Sequence, residues 1–178
     1  MKIFTLVLLL LSTPAFANDW GALRTPGAMA IMRHALAPGG GDPSNHTIDD
    51  CTTQRNLSEA GRAQARAIGE ALRSRDITFD HVFTSQWCRT RDTAALLDLG
   101  APQDAPSLNS FFTSRERAPE QTRDLRALLQ ALEGRAMLVT HQVNISALTG
   151  TFTRSGEIIV FRHTPDGTEV LGRILIDP

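Results

Sequence analysis

The stretch Ala28-Met29-Ala30-Ile31-Met32-Arg33-His34 decides how this chain is read. A short apolar run of this kind reads as a buried strand, and it closes on a guanidinium beside an imidazole. Where such a strand emerges at the edge of a sheet, the pair sets an anion clamp next to a potential nucleophile. Phosphate chemistry is the first implication. Two later segments repeat the construction: Val82-Phe83-Thr84-Ser85 runs into Cys88-Arg89, and Met137-Leu138-Val139-Thr140 runs into His141. A lone histidine at a strand end is more often a polar cap than a catalyst. Three such ends are harder to dismiss, because ligands of open parallel sheets bind outside the carboxyl ends of the strands.

Between these strand ends the sequence alternates helices with strands. Ala37 to Asn45 is rich in Gly and Pro and reads as a loop at the rim of the site. Ser58 is an N-cap for a helix from Ala60 to Arg75, with Ala63, Ala67, Ala71 and Leu72 as its apolar face and Arg62, Arg66 and Arg73 on another. Phe79 to Ser85 is a second strand, and Gln86 to Leu99 a second helix ending at Gly100. Arg89 then lies in a first helical turn, where free backbone N–H groups add to its pull on an anion. A short third strand is expected near Leu108, a third helix over Glu120 to Leu132, a fourth strand over Arg135 to Thr140, and a short helix from His141 to Gly150. Glu157 to His163 and Thr168 to Ile176, split by the turn Pro165-Asp166-Gly167, read as a hairpin. The sum is a three-layer α/β/α sandwich with a mostly parallel central sheet and a C-terminal β-hairpin.

Composition removes several function classes. The 178 residues carry a formal net charge of −1, so the electrostatic footprint of a nucleic-acid binder is lacking and no nucleic-acid partner is expected. Met1-Lys2, an apolar stretch from Ile3 to Leu11 and Ala15-Phe16-Ala17 form a secretory signal peptide over residues 1–17, leaving one domain at 18–178. The apolar stretch falls short of the about 20 residues that span a bilayer, so the mature protein is expected to be exported, secreted or periplasmic, with no membrane span. Lys2 is the sole lysine and tyrosine is absent. A lysine Schiff base and a phosphate-loop lysine are therefore excluded from the mature chain. Cys51 and Cys88 are an even pair in a chain bound for an oxidising compartment and are expected to form a disulfide. The alternative is a reactive thiol at Cys88 beside Arg89.

Four segments together resemble the histidine phosphatase superfamily, the phosphoglycerate-mutase-like proteins. Arg33-His34-Ala35 matches the family's Arg-His-Gly, and Leu57-Ser58-Glu59-Ala60-Gly61-Arg62-Ala63-Gln64-Ala65 its second element. Thr84-Ser85 through Arg89 to Thr93-Ala94 matches the third, and Leu138-Val139-Thr140-His141 the fourth. The resemblance implies that His34 attacks phosphorus while Arg33, Arg89 and His141 hold the phosphoryl oxygens, with no cofactor and no metal. It also implies a small phosphorylated substrate, for which an envelope glycolipid phosphate is one candidate by analogy. Two departures stand out. Ala35 replaces a Gly, and no carboxylate aligns with the family's proton donor in the segment holding Leu108-Asn109-Ser110. Arg55, Glu116 and Asn109 are candidate substrate contacts, with Glu116 and Glu120 as carboxylates that could swing in; a salt bridge for Arg55 and solvated positions for the two glutamates are the competing readings. His46 with Asp42, Asp49 and Asp50 lacks zinc-type spacing and reads as a solvated loop. Two other functions stay open: a phospho-ligand binding protein poor in proton donors, and a metal-dependent hydrolase.

Overall fold

The computed structural model describes residues 18–178, so the signal peptide expected at 1–17 lies outside the described residues. A six-stranded sheet forms the middle layer. Its strands are β1 (Met29–Arg33), β2 (His81–Thr84), β3 (Pro102–Asp104), β4 (Ala136–Thr140), β5 (Ile158–Thr164) and β6 (Gly167–Ile174), in the order β3-β2-β4-β1-β5-β6. The first four in that order run parallel, and β5 and β6 add the antiparallel hairpin.

The helices are α1 (Glu59–Arg73), α2 (Cys88–Leu97), α3 (Ala118–Ala131) and α4 (Gln142–Thr149). Because strand side chains alternate between faces, each central strand feeds both layers. Met32, Val82, Met137, Val139 and Val160 pack with Ile68 and Leu72 of α1 and Ala94 and Leu97 of α2. Ile31, Phe83, Leu138, Ile159 and Phe161 pack with Leu125 and Leu129 of α3 and Ile145 and Leu148 of α4. These two apolar clusters, one on each face, are what makes the molecule three-layered.

Three local expectations are corrected. The third strand is Pro102–Asp104, and Leu108 instead ends a 3-10 turn over Pro106–Leu108. That edge strand has three exposed side chains and no apolar alternation, so its pattern carries no strand signal. Helix α2 ends at Asp98, which itself takes the left-handed conformation expected of Gly100. Helix α1 starts at the predicted Ser58 cap, whose Oγ accepts from the Gly61 N–H at 3.1 Å. It is, however, turned about its axis. Its buried face is Gly61, Gln64, Ala65, Ile68, Gly69 and Leu72, while Ala63 and Ala67 are exposed. Glycine explains the rotation: a Cβ at Gly61 would overlap the Leu36 carbonyl, and one at Gly69 the Leu97 carbonyl. Backbone thus meets backbone at both places, and the loop after His34 is pressed against α1.

Candidate active site

Strand register brings the three predicted ends level. Arg33 pairs with Thr140 across β1 and β4, and Thr84 with Val139 across β2 and β4. The His34 N–H continues the ladder to the Thr140 carbonyl at 2.9 Å, and the Ser85 N–H to Val139 at 3.0 Å. The side chains that follow therefore emerge side by side. The imidazoles of His34 and His141 lie edge to face with ring centroids 5.6 Å apart.

His34 is buried, with Nδ1 2.8 Å from the Ala35 carbonyl oxygen. A carbonyl only accepts, so Nδ1 carries the proton and the Nε2 lone pair is left free. Burial first, and then the charge of Arg89, hold the His34 pKa well below the ordinary histidine value. The ring is neutral at pH 7, as a nucleophile must be. Ala35 itself causes no strain. Among the described residues the non-glycine positive φ values belong to Asp76 and Asp98, and the Ala35 N–H is bound by Thr93 Oγ1 at 3.1 Å.

His141 is likewise buried, its pKa pulled well down by desolvation and then by Arg89. Its Nε2 is 2.8 Å from Ser85 Oγ, and the Trp87 indole packs edge-on at 5.4 Å between centroids. Arg89 lies against this pair, with Nη2 3.5 Å from His141 Nδ1. Its guanidinium grips Asp42 with two parallel bonds, Nη1 to Oδ1 at 2.7 Å and Nη2 to Oδ2 at 3.0 Å. Asp42 also accepts from the Trp87 indole N–H at 3.1 Å and the Arg55 backbone N–H at 3.0 Å. Burial alone would raise its pKa, but the hydrogen bonds and charge of Arg89 outweigh that and keep the carboxyl below the usual range.

Arg33 and Arg55 complete the cup. Arg33 donates to the Thr153 carbonyl at 3.2 Å, and Arg55 to the Ala37 carbonyl. The Nε–H groups of Arg33, Arg55 and Arg89 are all buried without a hydrogen-bond partner among the described residues. Buried polar groups are rarely left unpaired, so three such donors around two neutral imidazoles make a site suited to an oxyanion. Three guanidiniums against the single Asp42 carboxylate leave a net charge of about +2 here, matching a phosphoryl dianion.

The expected disulfide is present, Cys51 to Cys88 with Cα atoms 5.7 Å apart. It ties the loop after His34 to the first turn of α2. Gln54 reinforces that tie: its Oε1 accepts the Cys88 N–H at 3.0 Å while its Nε2 donates to Thr47 and Ile48 carbonyls. One first-turn N–H of α2 is therefore taken by Gln54, which corrects the expectation that these groups stay free for an anion.

A sequence model of the histidine phosphatase superfamily (branch 1) matches residues 30–106, the span that carries His34, Arg55 and Arg89. The match supports membership of the histidine phosphatase superfamily. A 2,3-bisphosphoglycerate-dependent phosphoglycerate mutase of Methylobacterium sp. (strain 4-46) is 46% identical over 55 residues, which cover 30% of this chain and 26% of that relative. The match thus spans about a quarter of the relative's length. Among solved structures, a phosphoglycerate mutase from Thermus thermophilus superposes with a TM-score of 0.60 at 18% identity, over 84% of this chain and 99% of that one. A putative phosphohistidine phosphatase SixA from Agrobacterium tumefaciens gives 0.60 at 18% identity, covering 85% and 99%. The protein histidine phosphatase SixA complexed with tungstate gives 0.59 at 17%, covering 83% and 96%. At such identities these structures establish a shared fold.

Not every residue singled out in the sequence reaches the cup. Arg33, His34, Arg55, Arg89 and His141 all line one cavity of about 580 Å3; Asn109 and Glu116 do not. Asn109 is a clamp, accepting from the Gln86 N–H and donating to the Gln86 side chain while its carbonyl takes the side chains of Asn144 and Gln121. Glu116 is exposed on a 3-10 turn whose neighbour Arg115 faces the cavity instead. Glu120 lines a separate small cleft. Asp42 is the residue the sequence misassigned: a Gly-rich loop reads as solvated, yet this carboxylate closes over Arg89. Ser85 and Trp87 stand in the sequence only as motif neighbours, because their contact with His141 exists only once β2 and β4 pair.

Proposed function

We propose that this chain is an exported phosphatase that hydrolyses a phosphomonoester or related phosphoryl group through a phosphohistidine on His34, without a metal ion. The observation that carries the reading is the cup itself: a neutral His34 with Nε2 free, facing His141 across 5.6 Å and ringed by three unpartnered guanidinium N–H donors. In the first step the Nε2 lone pair forms a bond to phosphorus while the bond to the leaving oxygen breaks and takes its electron pair with it. In the second, water attacks phosphorus, the N–P bond returns its pair to Nε2, and the water proton passes to the solvent or the departed group. Phosphoryl transfer depends mainly on positioning and on stabilising charge at the equatorial oxygens. Arg33, Arg55, Arg89 and His141 would supply that charge stabilisation, the arginines as planar forks of donors.

The fold shared with a tungstate-bound histidine phosphatase supports a tetrahedral oxyanion as the ligand class, and the Cys51–Cys88 bond supports an oxidising compartment. Hydrolysis of p-nitrophenyl phosphate in the presence of a chelator tests the reading. Turnover that persists with chelator and is lost in His34→Ala is expected. Turnover abolished by chelation points to a metal-dependent hydrolase, and tight phosphate binding without turnover to a binding protein.

A further inference from the structure

The cavity extends well beyond what a phosphoryl group needs, and its outer part is apolar. Phe111, Phe112, Phe152, Val143, Trp87 and Ala118 line it. Phe112 is 50% exposed and Phe152 71%, two of the few large apolar side chains left in solvent. Both line the cavity that holds the charged cup, and they come from separate segments: Phe112 precedes α3, and Phe152 follows α4. Arg115 lies over the Phe112 ring at 5.6 Å.

The acids of the cavity give a second, independent constraint. Among the described residues lining it, Asp42 is the one carboxylate. Both of its oxygens are committed to Arg89, Trp87 and the Arg55 backbone, and it is held ionised. It has no proton to give. No carboxylic acid is then placed to protonate a leaving group, and His46, which also lines the cavity, spends its Nδ1–H on the Pro43 carbonyl at 2.8 Å; the leaving group departs without general-acid help, which ordinarily contributes about a hundred- to ten-thousand-fold. A phenol, with a pKa of about 10, leaves unassisted far more readily than an alkanol, whose pKa lies close to the about 16 of water.

From these two features we infer that the substrate class of this site is an aryl phosphomonoester, its ring held between Phe112 and Phe152 and its phosphoryl group in the cup. The inference rests on the phosphatase reading above and deepens it. The bond that forms is His34 Nε2 to phosphorus, and the bond that breaks is aryl oxygen to phosphorus, leaving an aryloxide that takes its proton from solvent.

Four compounds separate the two requirements: phenyl phosphate, 2-phenylethyl phosphate, acetyl phosphate and propyl phosphate. The first two carry the ring, and the first and third have a weakly basic leaving group. Phenyl phosphate is expected to combine low KM with high kcat. 2-Phenylethyl phosphate should inhibit competitively with comparable affinity and turn over at least about a hundredfold more slowly. Acetyl phosphate should turn over with a raised KM, and propyl phosphate should do neither well. Phe112→Ala with Phe152→Ala should raise KM for phenyl phosphate about three- to tenfold and leave acetyl phosphate unchanged. Equal turnover of phenyl and 2-phenylethyl phosphates, or an unchanged KM for phenyl phosphate in the double variant, overturns the inference while the phosphatase reading stands. No turnover of any of the four overturns both.

Discussion

Removing the Cys51–Cys88 crosslink should cost this fold a large share of its stability. The two cysteines are 37 residues apart in sequence, and for a closed loop of that length the chain-entropy relation gives about 4 kcal/mol. The loop contains α1, β2 and Arg55, so releasing it frees a long stretch of the unfolded chain. For a domain of this size each kcal/mol moves the midpoint by about 2–4 °C; the Cys51→Ser/Cys88→Ser variant should therefore melt about 8–16 °C lower than the oxidised protein. Activity below that midpoint should survive, because Gln54 still holds the Cys88 N–H and Asp42 still grips Arg89. The assay is thermal unfolding followed by circular dichroism, with the oxidised wild type and the wild type in reductant as companions. The reduced wild type should match the variant. A midpoint shift of less than about 2 °C would refute the idea that the crosslink acts by restricting the unfolded chain.

The site and the packing around it carry further expectations. His141→Ala should lower kcat by about a hundred- to a thousandfold, as removal of a transition-state donor does, and Ser85→Ala should lower it less, since it frees the ring without deleting it; steady-state kinetics on an aryl phosphate decide this. Because burial keeps His34 and His141 neutral well below the ordinary value, the acid limb of kcat/KM, corrected for the substrate's own ionisation near about 6, should fall below the ordinary histidine pKa of about 6.5. A midpoint at or above that value would contradict the burial argument. Stability follows the same sign: the unfolded histidines bind protons first as pH falls, so the contribution is complete above about 6.5 and is lost toward the depressed folded values. Gly61→Ala must push Leu36 and the loop after His34 away from α1, at a cost of about 1–3 kcal/mol. Gly21→Ala, which meets no atom, should leave the melting temperature nearly unchanged.

What could be read in the sequence was the part written locally. The apolar runs ending at Arg33, Thr84 and Thr140 announce buried strands, and the cationic or imidazole residue just beyond each announces the cup. Ser58 announces its helix, and the cysteine count its disulfide. What stayed hidden depends on closure in space. Asp42 sits in a loop of glycines and prolines with no periodicity, and only folding reveals that its carboxylate meets Arg89. The rotation of α1 comes from two glycines that permit backbone contact, a feature that apolar counting assigns to the wrong face. Glu116 and Arg115 are adjacent on a 3-10 turn, and nothing in the local pattern states which one faces the cavity. Phe112 and Phe152 are distant in sequence and line one cavity only through the packing of α3 and α4.

The most direct test of the central claim is to quench the protein during turnover of a labelled phosphoryl donor and map the modified residue. An acid-labile, base-stable phosphoryl group on His34 is expected, formed and lost at rates that match turnover and absent from His34→Ala. Turnover with the label on another residue, or turnover undiminished in His34→Ala, would contradict it.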